Sequence, residues 1–191
     1  MKSILNFSLV LLVFSLVFTS CKKDPEEPNI VKGCKDSSAD NFNASSTEDD
    51  GTCTYQKRYL GEYTGNFDCK DQFEAIFNTA DIIIDERLSK SEVNIIIKST
   101  IGDLPVLGII KRDSLYVDAT LTGLKIQAKD INPQLPDIEI TANGTVKTTL
   151  LISSDNKILT GDLYLTLKPT SPPEYALFTL SDVCGLIAIK K

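Results

Sequence analysis

Residues 145–168, with the sequence TVKTTLLISSDNKILTGDLYLTLK, decide the fold class. Alternate residues of 146–152 share one face of an extended segment, and alternate residues of 159–167 share one face of a second segment. The polar residues 154–156 separate the two segments as a turn. Alternation with a period of two and one buried face is typical of an antiparallel hairpin. This stretch therefore predicts two paired strands.

The same pattern recurs along residues 57–191, where short runs of β-branched and aromatic residues are separated by turn residues. The runs predict about ten short strands. They lie at 59–68, 81–86, 92–99, 106–111, 114–119, 124–129, 137–141, 145–153, 157–168, 175–180 and 184–189. We therefore expect an all-β domain at 57–191, either an antiparallel β-barrel or a two-sheet sandwich.

One stretch of this domain favours a short helix. In residues 71–79, Phe73 and Phe77 follow helical spacing. Asp71 and Glu74 have the spacing of a capping box, in which two side chains satisfy the free N–H groups of a helix start. The sequence therefore predicts a short helix over 71–79.

The composition excludes several classes of function. The chain has 191 residues, with 20 basic and 26 acidic side chains and no histidine. Without histidine it lacks the commonest general base and the commonest catalytic zinc ligand. The sequence also has no glycine-rich phosphate loop, no Gly-x-Ser-x-Gly motif and no Cys-x-x-Cys motif. We expect a protein that is not an enzyme, and its net charge of −6 predicts that it does not bind nucleic acid.

The N-terminus has the features of a secretory signal. Residues 1–20 begin with the basic Lys2, continue with an apolar run at 9–18 and end with the small residues Thr19 and Ser20. The apolar run is too short to cross about 30 Å of hydrocarbon. Residues 22–32 carry two prolines, several charges and little apolar content, which is typical of an extended tether.

The junction of these two segments resembles a lipoprotein signal. Phe18-Thr19-Ser20-Cys21 is similar to a bacterial lipobox, with Phe18 where leucine is usual. The charged residues 22–28 that follow resemble those of Bacteroidota-type surface lipoproteins. The resemblance implies that Cys21 is lipidated and begins the mature chain, which is anchored in the outer membrane and exposed at the cell surface. Each buried methylene of such a lipid contributes about 0.8 kcal/mol to anchoring.

Four further cysteines, Cys34, Cys53, Cys69 and Cys184, form an even set in an exported chain. Such a set predicts a disulfide framework. Four cysteines allow three pairings, of which we favour Cys34–Cys53, closing a local loop, with Cys69–Cys184, tying the start of the β-domain to its end. The competing interpretation is a catalytic thiol, but the chain has no histidine to deprotonate it.

Residues 33–55, GCKDSSADNFNASSTEDDGTCTY, form an acidic segment bounded by cysteines. Hard oxygen ligands on a short closed loop suit calcium. The candidate calcium ligands are Asp36, Asn41, Asn43, Asp49 and Asp50. The segment is similar to a Cys-bounded repeat of Bacteroidota secreted and surface proteins, of the form G-C-x-D-x-x-A-x-N-Y-N ending in D-D-G-S-C-x-Y. The resemblance implies an extracellular spacer stabilised by calcium; the alternative is a disulfide-tied acidic loop without metal.

A further resemblance concerns the start of the β-domain. Residues 59–65, YLGEYTG, resemble the first strand of lipocalin-like (calycin) domains in Bacteroidota lipoproteins, with Tyr63 where tryptophan is usual. This resemblance implies a barrel. The isoleucine runs 82–84 and 95–97 lack strict alternation, so they are either buried on both faces or line an apolar cavity.

The chain is thus expected to contain a signal peptide (1–20), a lipidated tether (21–32), an acidic mini-module (33–55) and a β-domain (57–191). We expect a membrane-anchored envelope lipoprotein whose β-domain binds an apolar small molecule or an envelope partner. The alternative is a structural or assembly component with no ligand. A connected apolar cavity of about 300 Å³ or more would favour a small molecule. A filled core with a broad exposed apolar patch would favour protein contacts.

Overall fold

The computed structural model describes residues 29–70, 73–74 and 76–191. The predicted signal peptide, the predicted lipidation site Cys21 and most of the tether lie outside the described residues. All helices and strands of the described residues belong to one compact unit, Lys32–Lys191. No helix in this part of the chain combines the length and the apolar composition that crossing a bilayer requires.

The elements follow one another with short connections. In chain order they are β1 (Lys32–Gly33), β2 (Glu48–Asp49), α1 (Gln56–Tyr59), β3 (Gly61–Asp68), β4 (Thr79–Glu86), β5 (Glu92–Ser99), β6 (Gly102–Lys111), β7 (Ser114–Gln127), α2 (Ala128–Ile131), β8 (Glu139–Ile152), β9 (Ile158–Ser171), a 3₁₀ turn (Pro173–Tyr175) and β10 (Leu180–Lys190).

Strands β3 to β10 form a closed eight-stranded barrel in which β10 returns to pair with β3. Every pair of neighbours in the barrel is antiparallel. The predicted all-β fold is therefore confirmed, and of its two forms the structure is the barrel rather than the sandwich. Closure leaves each strand with a neighbour on both sides along much of its length, which limits the exposed edges that favour aggregation.

The hairpin predicted from residues 145–168 is confirmed as β8 and β9. Thr148 pairs with Leu163, and Leu151 pairs with Thr160. The alternate residues expected on one face are buried inside the barrel, apart from the half-buried Gly161, and their neighbours face outward. The hairpin thus forms two neighbouring strands of the barrel wall.

Two pairs of predicted strands are each a single long strand. The predictions at 114–119 and 124–129 merge into β7, and those at 137–141 and 145–153 merge into β8. The gap between the predicted strands 114–119 and 124–129 contains a β-bulge, where Gly123 has a φ of 67° and its N–H donates to Asn143 Oδ1 at 3.1 Å. The strand predicted at 175–180 is also wrong, because a 3₁₀ turn follows Pro172 there.

The helix predicted over 71–79 is replaced, in its described residues, by a single turn. The N–H of Phe77 donates to the carbonyl of Phe73 at 2.7 Å, and β4 begins at Thr79. Both phenylalanines are buried, and the ring of Phe77 lies 5.6 Å from that of Phe67. One turn is enough to bury these rings over the barrel, so the helical spacing does not extend into a regular helix.

Helix α1 closes one end of the barrel, which we call the N-terminal end. The buried amide of Gln56 donates to the carbonyls of Arg87, Ser89 and Glu92 at 3.0, 3.1 and 2.7 Å. The hydroxyl of Tyr59 donates to the carbonyl of Arg112 at 3.0 Å. These bonds fasten α1 to the turns that follow β4 and β6, because buried polar groups require partners.

Tyr63, the residue of the lipocalin-like resemblance, also lies near the N-terminal end. Its side chain is fully buried, and its hydroxyl donates to the carbonyl of Tyr59 at 2.8 Å. The ammonium of Lys190 lies 5.3 Å from the centre of its ring and donates to the carbonyl of Arg58. Desolvation raises the pKa of Tyr63. The first and last strands are thereby joined beneath α1.

Both predicted disulfides are present. Cys34 pairs with Cys53, and Cys69 pairs with Cys184. The second bridge joins the region after β3 to β10, its neighbour in the barrel, across a sequence separation of 115 residues. In the chain-entropy model, a loop of this length contributes about 4–5 kcal/mol to stability.

Candidate functional site

The barrel interior is filled by side chains. Ile82 and Ile84 of β4 and Ile95 and Ile97 of β5 all point inward and are at most 7% exposed. The middle residue of each isoleucine run is half-buried on the outer side. The runs therefore form core packing rather than the wall of a ligand cavity.

Two small voids remain in this packing. One lies among the central isoleucines and leucines, and the other lies beneath Phe73 and Phe77; each has a volume of about 20 Å³. A pocket for a drug-sized molecule generally has a volume of about 300 Å³ or more. Each of these two voids is therefore more than tenfold smaller than a pocket for the apolar small molecule that the sequence analysis gave as one alternative.

One polar side chain points into the core. Thr148 on β8 is 8% exposed, and its hydroxyl oxygen is buried without a hydrogen-bond partner in the described structure. It lines the void among the central isoleucines. Burying a hydroxyl without a partner costs stability.

The outer face of the barrel carries a broad apolar surface across β6 to β10, which we call the outer patch. Its members are large apolar or aromatic residues that are between 37% and 56% exposed. They are Leu107, Ile109, Tyr116, Leu151, Tyr164, Val183, Ile187 and Ile189.

Strand pairing makes the outer patch continuous. Ile109 pairs with Tyr116, and Tyr164 pairs with Val183. Thr160 of β9 bridges Leu151 of β8 and Ile187 of β10. Residues paired across antiparallel strands lie about 5 Å apart on the same face, so these side chains form one surface.

An open groove of about 560 Å³ runs along the part of the outer patch nearest β7. Its apolar walls include Leu107, Tyr116 and Tyr164. An ion pair crosses its floor, in which the ammonium of Lys147 lies 3.2 Å from Asp118. The groove is also lined by Asp162, so it combines aromatic surface with one basic and two acidic side chains.

The acidic mini-module packs against the N-terminal end of the barrel. Asp36 accepts hydrogen bonds from the N–H of Ser38 at 2.9 Å and from the hydroxyl of Tyr55 at 2.8 Å. Arg112, in the turn after β6, lies 3.5 Å from the same carboxylate. The hydroxyl and N–H of Ser38, followed by Tyr55, lower the pKa of Asp36 to about 2. Asp36 therefore joins the mini-module to the barrel.

The other candidate calcium ligands accept hydrogen bonds within the mini-module. Asn41 Oδ1 accepts from the N–H of Thr54 at 2.8 Å. Asp50 accepts from the N–H and the hydroxyl of Thr52 at 3.0 and 2.6 Å, which lowers its pKa. Asn43 and Asp49 accept from the N–H groups two residues further along the chain. Asn43, Asp49 and Asp50 thus each stabilise a local turn, whereas Asn41 joins two distant parts of the mini-module.

The acidic side chains of the mini-module do not form a cluster of three in the described structure. Among the described acidic and cysteine side chains, the only group of three with ligand atoms within 4.8 Å of one another is Cys69, Asp182 and Cys184. Its two sulfurs are joined to each other as a disulfide. The carboxylates of Asp36 and Asp50 thus do not meet in one cluster with a third, and calcium binding stays a prediction.

The sequence analysis predicted the disulfide-bonded cysteines. It named no residue of the barrel as a contact for a partner protein. It placed Tyr164 on the outward face of its strand, and the structure agrees. The signal for the outer patch was the occurrence of large apolar residues at outward positions of several strands. These positions can be recognised as one surface only when the order of strands around the barrel is known.

No protein-family model, no curated protein and no solved structure matches the chain.

Proposed function

We propose that the protein is a non-enzymatic lipoprotein of the cell envelope whose barrel binds an envelope protein through the outer patch. In this proposal, lipid on Cys21 anchors the chain in the outer membrane, with the barrel at the cell surface. The main observation that supports this proposal is a contrast. The core has voids of only about 20 Å³, whereas the outer face exposes eight large apolar residues.

The physical basis is the cost of leaving this surface in water. Exposed apolar residues scattered singly are ordinary, but a continuous group across five strands is typical of a binding surface. Aromatic residues such as Tyr116 and Tyr164 contribute large contact areas with little loss of side-chain freedom. The expected partner offers a complementary apolar surface, with polar groups opposite Lys147 and Asp118.

The experiment uses charge substitutions in the native host. Tyr164→Glu and Ile187→Glu each place a carboxylate in the outer patch without altering the buried face of the barrel. Thr120→Glu, on the outer face of β7 outside the patch, introduces the same charge as a matched control. After cross-linking on intact cells, we expect an envelope protein that is isolated with the wild type and the control, and lost with both patch variants.

Two results would contradict the proposal. Equal recovery of the same proteins with all variants would favour the alternative, a structural component that uses no partner at this surface. For the anchor, Cys21→Ser should leave the protein unprocessed or soluble. Normal processing and unchanged membrane fractionation of that variant would refute lipidation.

A further inference from the structure

The end of the barrel opposite α1, which we call the distal end, contains a separate apolar pocket of about 230 Å³. Two connections form it together with the adjoining strand ends: the segment 128–138 between β7 and β8, and the segment 172–179 between β9 and β10. The pocket is lined by Ile131, Asn132, Leu135, Ile140, Pro169, Tyr175, Phe178 and Leu180. It shares no residue with the groove on the outer patch.

The first connection is held in shape by its own hydrogen bonds. The N–H of Ala128 donates to the carbonyl of Ile138 at 2.9 Å, which closes the segment at its base. The N–H of Asn132 donates to Ala128 at 3.1 Å. An ion pair of 2.9 Å between Lys129 and Asp137 crosses the same base.

The second connection is a pair of tight turns. The N–H of Tyr175 donates to the carbonyl of Pro172 at 3.1 Å, and the N–H of Phe178 donates to that of Tyr175 at 3.1 Å. These bonds place the rings of Tyr175 and Phe178 at the pocket. A site that is formed before binding loses little conformational freedom when a ligand enters.

The chemistry of the walls defines the ligand. None of the eight described residues that line the pocket is charged, which favours a neutral compound. An apolar cavity of about 150 Å³ in another protein accommodates benzene. The pocket here, at about 230 Å³, therefore has room for one aromatic ring with a small substituent.

Two of the residues that line the pocket, Asn132 and Tyr175, have polar groups that can orient a ligand by hydrogen bonding. Asn132 Oδ1 already accepts a hydrogen bond from the N–H of Gln134 at 2.9 Å, so the amide nitrogen of Asn132 is the group left to donate. Asn132 is exposed and Tyr175 is half-buried, so both polar side chains lie at the open side of the pocket. A few placed polar groups in an apolar pocket are what fix a small ligand.

We propose that the distal pocket binds a small neutral compound with one aromatic ring and one oxygen, and that this oxygen accepts a hydrogen bond from the amide of Asn132. The ring packs between Leu135 and Phe178. This site is independent of the outer patch and lies at the opposite end of the barrel from α1 and the mini-module that precedes it.

The experiment measures binding of p-cresol and toluene to the purified full-length protein by calorimetry and by amide NMR. We expect p-cresol to bind and to shift the amides of 128–138 and 172–180. Leu135→Trp fills the pocket and should abolish binding. Phe178→Ala, at a residue that is 58% exposed, should weaken binding severalfold with little effect on folding. Leu177→Ala is the matched control, because Leu177 is 92% exposed and does not line the pocket.

The polar contact has its own test. Asn132→Asp keeps the oxygen that accepts from Gln134 and removes the donor. We expect it to weaken the binding of 4-methylanisole, whose oxygen can only accept a hydrogen bond, about tenfold, the usual effect of one hydrogen bond. Toluene has no oxygen, so the same substitution should reduce its affinity much less.

Three results would overturn the inference. They are the absence of p-cresol binding at millimolar concentration, equal binding by the wild type, Leu135→Trp and Phe178→Ala, and amide shifts that map to the outer patch. All three concern the binding of a small compound to the purified protein, so they do not test the proposed envelope partner.

Discussion

Replacing Thr148 with valine should stabilise the barrel. Valine has nearly the shape of threonine but carries a methyl group in place of the hydroxyl. In the structure this hydroxyl is buried, has no hydrogen-bond partner and faces a void lined by apolar side chains. A buried hydroxyl without a partner costs roughly 1–3 kcal/mol, so Thr148→Val should gain about 1–2 kcal/mol. For a chain of this size the gain corresponds to a rise in Tm of about 2–8 °C.

The assay is urea unfolding followed by circular dichroism. The midpoint and the slope of the unfolding free energy against urea concentration are compared between variants. Thr120→Val, at an exposed position of β7, is the control and should change stability by less than about 0.5 kcal/mol. Thr148→Ala should destabilise, because it removes a packed methyl group as well as the hydroxyl. A clear loss of stability in Thr148→Val would refute the reasoning. It would indicate that the hydroxyl bonds a water molecule, for which a void of about 20 Å³ has room.

Four other perturbations test the fold and the mini-module. Gly161→Ala should destabilise by about 1–3 kcal/mol in the same urea assay, because its Cβ would clash with the carbonyl oxygen of Thr149; wild-type stability would contradict that contact. Replacing Cys69 and Cys184 together with alanine should lower the free energy of unfolding by up to about 4–5 kcal/mol, and an unchanged urea midpoint would contradict the entropic estimate. The pKa of Asp36 is lowered to about 2, so its stabilising contribution is present above about pH 4 and is lost as the pH falls towards 2. NMR titration of its carboxyl checks this, and a midpoint near 4 would refute it. If the mini-module binds calcium, as its sequence predicts, adding EDTA should lower the Tm; an unchanged Tm would contradict calcium binding.

The outer patch and the distal pocket place two binding surfaces on one small barrel. The outer patch lies along the wall, where its residues come from five neighbouring strands. The distal pocket lies at one end and comes largely from two connections. Mutations in one surface are expected to act independently of the other, because well-separated sites without shared partners are usually additive.

Local sequence was sufficient for the elements whose signal is periodic. The strands β8 and β9 follow from alternation along 145–168, and the two disulfides follow from cysteine number and spacing. Local sequence failed where a residue type has more than one structural use. Gly123 lies between two predicted strands, where glycine is typical of a turn, but it belongs to a β-bulge within one long strand, and its positive φ suits that position as well. In the same way, Phe73 and Phe77 have helical spacing, yet a single turn buries both.

By itself the sequence determined the all-β class, the buried face of the clearest hairpin and the favoured cysteine pairing, because each depends on the order and spacing of residues along the chain. Only the tertiary structure decided that the strands close into a barrel, that its core leaves no room for a sizeable ligand, and that Tyr116, Tyr164 and Ile187 lie on one surface. These properties depend on which strands are neighbours and on how their side chains fill the space between them. Such relations join residues far apart in the chain, and no local pattern records them.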